Sequence, residues 1–312
     1  MSPFFSIIIP VFNKERHVLQ TLESVQNQSF QNFEIIIVND GSTDNSEKEI
    51  LKFQHQKLKY FKNENKGASH SRNFAASKAK APYIAFLDAD DIWLPHHLED
   101  LKNLIDDFPN CGMYCKAYTA FQKDVEIKSR YHNISNKPWR GILKDYFESS
   151  MQNSIATTPA VAMPRQIFES KGGFNEVYQS GQDIDLWIRV AIKHLVAFDN
   201  NVSVCINLNA DNKLSEIKLS HKTFPTFEEF EKEEKTNQSL KMYLDLNRFV
   251  LAIKYKIEEN SEKYSFFKNR LNQNNLSFGK RLALKFPSWF LKLVLNFKSL
   301  MIGVGLPFKL FK

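Results

Sequence analysis

The chain has 312 residues, of which 43% are hydrophobic, so it can form one large domain or one domain with an appendage. Its three cysteines lack CxxC spacing, which argues against a disulfide framework and against a zinc site. The N-terminus has a short apolar run without a basic leader, which indicates a first strand rather than a signal peptide and predicts a cytoplasmic protein. The net charge of +7 arises at the C-terminus, where ten Lys and Arg and no acidic residue follow Glu262.

Strand and helix patterns alternate over the first 108 residues. Apolar runs typical of buried strands occupy 5–12, 33–40, 58–63 and 82–88, and helical spacing occupies 17–28, 42–53, 67–79 and 95–108. This alternation predicts a mostly parallel sheet that is covered by helices on both faces. Ligands bind at the carboxyl ends of the strands in such sheets. Polar residues follow each strand there: Asn13 and Glu15, then Asp40, then Asn65 and Lys66, then Asp88, Asp90 and Asp91.

The fourth strand ends in the sequence LDADD, which contains the DxD pair Asp88 and Asp90. Two carboxylates at this spacing can both reach a hard divalent cation such as Mg²⁺ or Mn²⁺. The alternative is that Asp90 or Asp91 caps the helix expected to begin at Pro95. Asp40 at the end of the second strand favours a site, because like charges so close together repel unless a cation or hydrogen-bond donors compensate them.

Four stretches carry a family resemblance: SIIIPVFNKE, IIIVNDGSTDNS, NKGASHSRN and IAFLDADDIWLP. In this order and spacing they resemble the inverting family 2 glycosyltransferases of the GT-A fold, strongly over about residues 4–110 and more loosely to about 215. The resemblance implies an α/β fold with a Rossmann-like, mostly parallel sheet flanked by helices. It implies a catalytic domain at 1–215 and a helical C-terminal extension at 216–312.

The resemblance also implies an activity. The expected reaction is metal-dependent transfer of a sugar, with inversion, from a nucleotide-sugar donor that is most simply UDP-linked. The expected acceptor is a glycan or lipid-linked glycan in surface polysaccharide biosynthesis. A catalytically silent module that binds sugar nucleotides is the alternative. The absence of GxGxxG after the first strand argues against a dinucleotide-binding enzyme.

By the same resemblance, the first loop surrounds the base and ribose, and Asp40 accepts a hydrogen bond from the pyrimidine imide. Arg72 matches a basic residue near the nucleotide, although it could simply pair with a strand-end aspartate. Asp90 matches the direct ligand of Mn²⁺ or Mg²⁺, and Asp88 serves the ribose or the metal. The implied nucleotide-binding residues are Pro10, Val11, Phe12, Asn13, Glu15, Asp40, Lys66, Gly67, Arg72, Asp88 and Ala89.

The sequence SGQDIDLWIRV at 180–190 matches the family's acidic pair before an apolar helix. Asp183 matches the carboxylate that acts as general base, and its alternative is a helix N-cap. Gln182 stands where the family usually has Glu, which keeps hydrogen bonding but removes a charge. Trp187 could stack on an acceptor sugar, although a tryptophan on an amphipathic helix more often packs in the core.

The C-terminal third has its own pattern. Residues 224–258 suggest one long polar helix, and residues 279–312 alternate Lys and Arg with large apolar side chains. The second segment has too many charges to span a bilayer but fits the membrane interface, which predicts a peripheral position at the inner face of the cell membrane. The alternative is a helical cap packed on the catalytic domain. Because the charges are interleaved with aliphatic groups, no nucleic acid partner is expected.

Overall fold

A computed structural model describes residues 2–122, 125–211, 219 and 222–303. The strands are β1 (Phe5–Val11), β2 (Phe33–Asp40), β3 (Leu58–Asn63), β4 (Tyr83–Phe86), β5 (Ile92–Trp93), β6 (Met113–Gln122), β7 (Val125–Lys128), β8 (Arg140–Ile142), β9 (Val161–Pro164) and β10 (Val196–Asn207). The helices are α1 (Val18–Gln26), α2 (Ser46–Lys52), α3 (Ala68–Ser77), α4 (His97–Asp107), α5 (Tyr146–Ser149), α6 (Arg165–Ser170), α7 (Gln182–Ala191), α8 (Glu231–Glu234), α9 (Gln238–Ile257), α10 (Ser261–Asn269), α11 (Phe278–Lys285) and α12 (Ser288–Gly303).

The strands form a single sheet in the order β3-β2-β1-β4-β9-β6-β10-β5, with β7 paired to β6 and β8 paired to β10. The first four strands are parallel, and so are β6 and β10. Strand β9 joins these two parallel groups by antiparallel pairing on both sides. The α/β fold predicted from the sequence is confirmed. The parallel arrangement brings the carboxyl ends of β1 to β4 to one edge, where ligands bind in such sheets.

Alternate residues of the central strands pack on opposite faces of the sheet, as the pleat of a strand requires. In β1, Ile7 and Ile9 contribute to one hydrophobic cluster, and Ile8 contributes to the other. Helices α1, α2 and α4 cover the first face, and α3, α7 and α9 cover the second. Covering on both faces explains why these strands are apolar throughout rather than alternating.

Two helices begin later in the chain than the sequence predicts. The later start of the second one shows whether Asp90 or Asp91 caps it. Helix α2 begins at Ser46, because residues 42–45 form the turn after β2 instead. Helix α4 begins at His97, and its N-cap position is His96. The short strand β5 separates that helix from the aspartates. The alternative in which Asp90 or Asp91 caps the helix is therefore wrong.

The expected single polar helix over 224–258 is also wrong. The chain forms α8 and then α9, with the break at residues 235–237. Helix α9 is capped by Asn237, whose side chain accepts a hydrogen bond from the backbone N–H of Leu240. Many residues of α9 are buried, so tertiary packing rather than polar character determines this helix.

Helices α11 and α12 pack on α9 through Ala283, Leu284 and Leu291. These contacts join α11 and α12 to another C-terminal helix, and the alternative of a cap packed on the catalytic domain stays a prediction. None of the helices in the described residues is both long and apolar enough to cross a bilayer. The expected domain boundary at 215, and the last basic residues at 309 and 312, lie outside the described residues.

Candidate functional site

The first loop, which follows β1, is tied to the loop that follows β2. The Asn13 side chain accepts a hydrogen bond from the backbone N–H of Thr43 at 2.8 Å. Glu15 accepts from both the backbone and the side chain of Asn45, each at 2.8 Å. Asn13 and Glu15 thus shape the rim of the strand-end edge. That Asn13 and Glu15 also contact a nucleotide stays a prediction.

The other predicted residues of the first loop differ in their exposure. Val11 is buried in the core, so only its backbone could reach a ligand, whereas Pro10 is half-buried. Phe12 is 38% exposed, an exposure that leaves its ring able to contact a planar ligand group. Ala89, between the two DxD carboxylates, is buried.

Asp40 ends β2 and holds the loop that precedes α3. Its two carboxylate oxygens accept hydrogen bonds from the backbone N–H groups of Lys66 at 3.0 Å and Gly67 at 2.8 Å. Gly41 makes this approach possible, since it has a φ of 72° and an added Cβ would lie 2.8 Å from the Asn65 nitrogen. A carboxylate can accept about four hydrogen bonds, so Asp40 can bind this loop and still accept from a ligand.

Arg72 lies on α3 with its guanidinium against the first DxD carboxylate. Its Nη2 donates to Asp88 Oδ1 at 2.5 Å, and the guanidinium stacks over the Phe174 ring at 5.3 Å. The side chain is almost fully buried, and Nε and Nη1 have no hydrogen-bond partner within the described residues. The ion pair expected as an alternative for Arg72 is therefore present, and two buried donors are left to meet an anionic ligand.

Lys14 neutralises the second DxD carboxylate. Its Nζ lies 2.7 Å from Asp90 Oδ2 and donates to the backbone oxygen of Asp211 at 2.6 Å. Both charged side chains are largely buried, with exposed fractions of 11% and 15%. A buried pair of this kind resists screening by salt. The sequence-based interpretation did not assign Lys14 any role.

The Asp91 side chain points away from the edge formed by the carboxyl ends of β1 to β4. Its side chain is buried and accepts a hydrogen bond from the backbone N–H of Asn207 at 2.9 Å, and its backbone oxygen accepts from Thr21. Burial, followed by the charges of Asp88 and Asp90, raises the pKa of Asp91 well above its usual value. Asp91 thus connects β10 and α1 to the carboxylate loop.

Asp183 lies in the first turn of α7, and Gly181 occupies the N-cap position. The N-cap alternative for Asp183 is therefore wrong. Burial raises the pKa of the Asp183 carboxyl, the Arg72 cation lowers that pKa, and the Asp88 charge raises it. These electrostatic effects place Asp183 near the Arg72–Asp88 pair. Neighbouring Gln182 is buried, and its Oε1 has no hydrogen-bond partner within the described residues.

Two tyrosines complete the surroundings of Asp183. Tyr243 comes from α9, and burial together with the Asp183 charge raises its pKa, so its hydroxyl stays protonated. Its ring lies 6.4 Å from the ring of Tyr146 on α5. Burial raises the pKa of the Tyr146 hydroxyl as well, and hydrogen bonds with Ser150 and Ser154 oppose that rise. Buried polar atoms normally have partners, and the unpartnered atoms of Arg72 and Gln182 among the described residues are exceptions to this rule.

Trp187 does not take part in this surface. It is 1% exposed and contacts the rings of Phe86 and Phe174, with centroids 6.2 and 6.0 Å apart. Its position in the core excludes the stacking of an acceptor sugar on its ring and confirms the packing alternative.

The DxD carboxylates have the chemistry that a magnesium or manganese ion requires. They offer carboxylate oxygens on partly buried side chains, the ligand type that these ions prefer. Among the described residues, no group of three His, Cys, Asp or Glu side chains is placed to hold a metal. A Mg²⁺ or Mn²⁺ ion at this pair would take one or two carboxylates from Asp88 and Asp90 and its other ligands from substrate phosphates and water.

Comparison with known proteins identifies this arrangement. Residues 6–170, more than half of the chain, match the sequence profile of Glycosyl transferase family 2. The chain belongs to glycosyl transferase family 2. The match covers β1 to β4 and both DxD aspartates, the region of the four motifs that resemble this family.

Individual relatives of this family 2 chain include an uncharacterized glycosyltransferase of Rickettsia bellii, 31% identical over 210 residues. The chain spans only 29% of the length of that protein. The UDP-Glc:alpha-D-GlcNAc-diphosphoundecaprenol beta-1,3-glucosyltransferase WfgD of Escherichia coli is 26% identical over 80% of this chain and 93% of its own. The crystal structure of S. aureus TarS 1-349 in complex with UDP-GlcNAc gives a TM-score of 0.59, with 16% identity over 91% of this chain and 78% of that one. The likeness to TarS extends the fold assignment to the C-terminal helices.

The sequence-based interpretation missed Lys14, Tyr146 and Tyr243. Lys14 lies within the first motif between two predicted residues, and a basic residue facing an aspartate cluster was a usable signal. No such signal existed for the tyrosines. Tyr243 is about 60 positions from Asp183 in the chain, and the aromatic residues of this phenylalanine-rich protein are mostly core.

Proposed function

We propose that this family 2 protein is an inverting glycosyltransferase that moves a sugar from a UDP-sugar to the hydroxyl of a glycan, with a lipid-linked glycan as acceptor. The interaction of Asp183 with the Arg72–Asp88 pair carries this proposal. Proton removal and stabilisation of a leaving diphosphate need these groups together. A carboxylate whose pKa is raised by burial and responds to the charges of Arg72 and Asp88 supports these roles.

The chemistry follows from the charges of these side chains. The Asp183 carboxylate takes the proton of the acceptor hydroxyl as that oxygen forms a bond to the anomeric carbon of the donor. The bond between this carbon and the diphosphate oxygen breaks on the opposite face, which inverts the configuration. The two unpaired donors of Arg72 can hydrogen-bond to the diphosphate as its negative charge increases.

In this proposal Asp90 and Asp88 hold a Mn²⁺ or Mg²⁺ ion, which supplies a Lewis acid for the donor phosphates. The Lys14 ammonium is then a competing cation on Asp90. Because the protein offers few ligands, the ion should bind weakly alone and more tightly when a nucleoside diphosphate supplies phosphate oxygens.

The nucleotide and the acceptor are inferred from different observations. Asp40 holds the Lys66–Gly67 loop through one hydrogen bond to each carboxylate oxygen, and in this proposal it also accepts from a ring N–H of a uracil base. The Phe12 ring on the first loop is 38% exposed. The WfgD relative is named for a UDP-glucose donor and a diphosphoundecaprenol-linked acceptor. These observations support a UDP-sugar and a lipid-linked glycan in surface polysaccharide biosynthesis.

Calorimetric titration tests the proposal directly. UDP, GDP and dTDP are titrated into the full chain with Mn²⁺ and, separately, with EDTA. We expect UDP to bind more tightly with Mn²⁺ than with EDTA, and Asp90→Asn to remove most of that difference. No binding of any of the three nucleotides in either condition would contradict the proposal.

A matched variant separates the loss of a ligand from the loss of fold. Asp106→Asn also removes one surface carboxylate that pairs with a lysine, but Asp106 lies on α4, outside this site. It should bind UDP as the wild type does. UDP binding without transfer or hydrolysis of any UDP-sugar, across glycan acceptors, would instead indicate the catalytically silent module.

A further inference from the structure

Helices α11 and α12 each expose a stripe of large apolar side chains. On α11 these are Phe278 and Leu282, and on α12 they are Trp289, Leu293 and Phe297. Residues three or four apart lie on the same face of a helix, so each set forms one continuous stripe. Their exposed fractions are 74%, 38%, 61%, 57% and 55% in this order. These exposed fractions are large for apolar side chains, whose exposure to water is unfavourable.

The same helices are held against the protein by their other faces. Ala283 and Leu284 of α11 and Leu291 of α12 are buried in the hydrophobic cluster that includes α9. The Lys256 ammonium and the Tyr264 hydroxyl both donate to the backbone oxygen of Leu284, at 2.6 and 3.0 Å. The exposed stripes are therefore presented in a fixed orientation.

Basic residues lie within these stripes. Arg281 and Lys285 share the face of Phe278 and Leu282, and both are exposed. Lys292 lies between Trp289 and Leu293 on α12 and pairs with Glu259 at 2.7 Å. No acidic residue follows Glu262 in the sequence. The apolar stripes are thus accompanied by positive charge with little acidic compensation.

The most exposed apolar residues outside α11 and α12 lie in three separate segments of the chain. Leu51, Val177 and Leu195 are exposed to a similar degree but belong to different parts of the chain. Single exposed residues of this kind are normal on protein surfaces, whereas a concentration of them marks an interaction site. We call the exposed side of α11 and α12, formed by Phe278, Arg281, Leu282, Lys285, Trp289, Leu293 and Phe297, the C-terminal face.

We propose that the C-terminal face binds the surface of a membrane that contains anionic lipids. The aromatic and aliphatic side chains enter the boundary between headgroups and acyl chains, and Arg281 and Lys285 contact the lipid phosphates. A second copy of the chain is a poorer occupant, because it would bring two positively charged faces together. An anionic surface satisfies both the apolar and the charged parts of the face.

Vesicle binding tests this proposal on the full chain. The protein is mixed with vesicles of phosphatidylcholine containing about a third phosphatidylglycerol, and with vesicles of phosphatidylcholine alone, and sedimented. We expect strong binding to the first and much weaker binding to the second, decreasing with NaCl. Trp289 provides a second signal, because Trp93 and Trp187 are buried and Trp139 is half-buried while Trp289 is 61% exposed. Its emission should shift to shorter wavelength on binding.

Variants separate the apolar and charged contributions. Trp289→Ser combined with Leu293→Ser should reduce partitioning by about tenfold or more. Arg281→Gln with Lys285→Gln should reduce it by about fivefold for each charge removed. The matched control is Leu51→Ser, a residue as exposed as Leu293 but on α2, and it should bind as the wild type does.

Two results would overturn the proposal. One is equal sedimentation of the wild type and the Trp289→Ser, Leu293→Ser variant. The other is a wild-type dimer in sedimentation velocity that this variant converts to monomer without any vesicle binding by the wild type, which would assign the face to a second copy. Neither result bears on glycosyl transfer, because UDP titration in the absence of vesicles tests that proposal separately.

Discussion

Asp183 combines a raised pKa with a position beside a cation, and this combination determines how its variants should behave. Replacing it with Asn removes proton acceptance but preserves size. We expect Asp183→Asn to reduce the turnover number by about 10² to 10⁴ while the dissociation constant for UDP changes by less than about twofold. Steady-state transfer assays and UDP calorimetry measure the two quantities. Wild-type turnover in this variant would show that another group accepts the proton.

The pH dependence of transfer follows from the same residue. A base works when deprotonated, so the rate should rise with pH as the pH passes through the raised pKa of Asp183. Arg72 lowers that pKa, so Arg72→Gln should move the rising limb of the kcat profile to higher pH. The measurement is kcat at saturating substrate over about pH 4 to 8. If Arg72→Gln leaves the rising part of the kcat–pH profile at the same pH, a group other than Asp183 determines that pH.

At the residue scale, sequence reasoning located the carboxylates but not their partners. Asp40, Asp88 and Asp90 could be placed because each follows an apolar run, and the ends of parallel strands meet at one edge. The pairing of Lys14 with Asp90 depends on the path of the first loop, which no local pattern encodes. The role of Asp183 was predicted from the family resemblance alone, because no periodic pattern in the sequence relates it to the aspartates at the strand ends.

Helix α9 brings a residue of the C-terminal region to the candidate site. Tyr243 presents a protonated hydroxyl close enough to Asp183 to respond to its charge. Loss of one hydrogen-bonding hydroxyl costs about 0.5–1.5 kcal/mol, so Tyr243→Phe should lower kcat/KM for the acceptor by roughly threefold to tenfold. UDP affinity should be unchanged.

Tyr264→Phe on α10 provides the control for that prediction. Its hydroxyl also donates a hydrogen bond, but to the backbone oxygen of Leu284, within the C-terminal helices. Its kinetic constants should match the wild type. If both variants lose the same activity, the effect of Tyr243→Phe is one of folding rather than of position.

Strands β6 and β10 are joined by a buried charge cluster. The Lys116 ammonium, on a fully buried side chain, lies 2.7 Å from Asp100 and 2.6 Å from Asp199. Removing one member of such a cluster leaves buried charges without compensation. Lys116→Met should therefore lower the free energy of unfolding by about 3–5 kcal/mol in urea denaturation. Lys102→Met, which breaks the exposed pair with Asp106, should change it by less than about 1 kcal/mol.

At the element scale, the parallel half of the sheet was predictable and the antiparallel half was not. Strands β1, β2 and β4 are continuous apolar runs, and helices separate all four strands β1 to β4, a pattern with one reasonable interpretation. Strands β5 and β9 have two and four residues, too short to show a period, and they are determined by their neighbours in the sheet. Helix α9 was misjudged because its polar residues concealed a buried face.

Across the whole molecule, one hydrophobic cluster extends from the first strand to the last helices. It contains Ile8 of β1, Trp187 of α7, Leu244 of α9 and Leu291 of α12. A shared core predicts that the C-terminal helices do not unfold separately. We expect far-UV and near-UV circular dichroism to give coincident urea transitions. An earlier transition in the helical signal alone would indicate that the region predicted to begin at 216 is an independent domain.

That shared core has a consequence for synthesis of the protein. The sheet is complete once β10 has formed at Asn207, but one of its faces needs α9 to α12, which extend past Leu291. At about 5–20 residues per second, translation leaves the part of that face that α3 and α7 do not cover exposed for roughly 4 to 17 s. During this interval the nascent chain presents a ready-made apolar sheet surface to the cell. Chaperone demand should therefore peak late in translation, and a slow codon run after residue 207 should reduce the soluble yield.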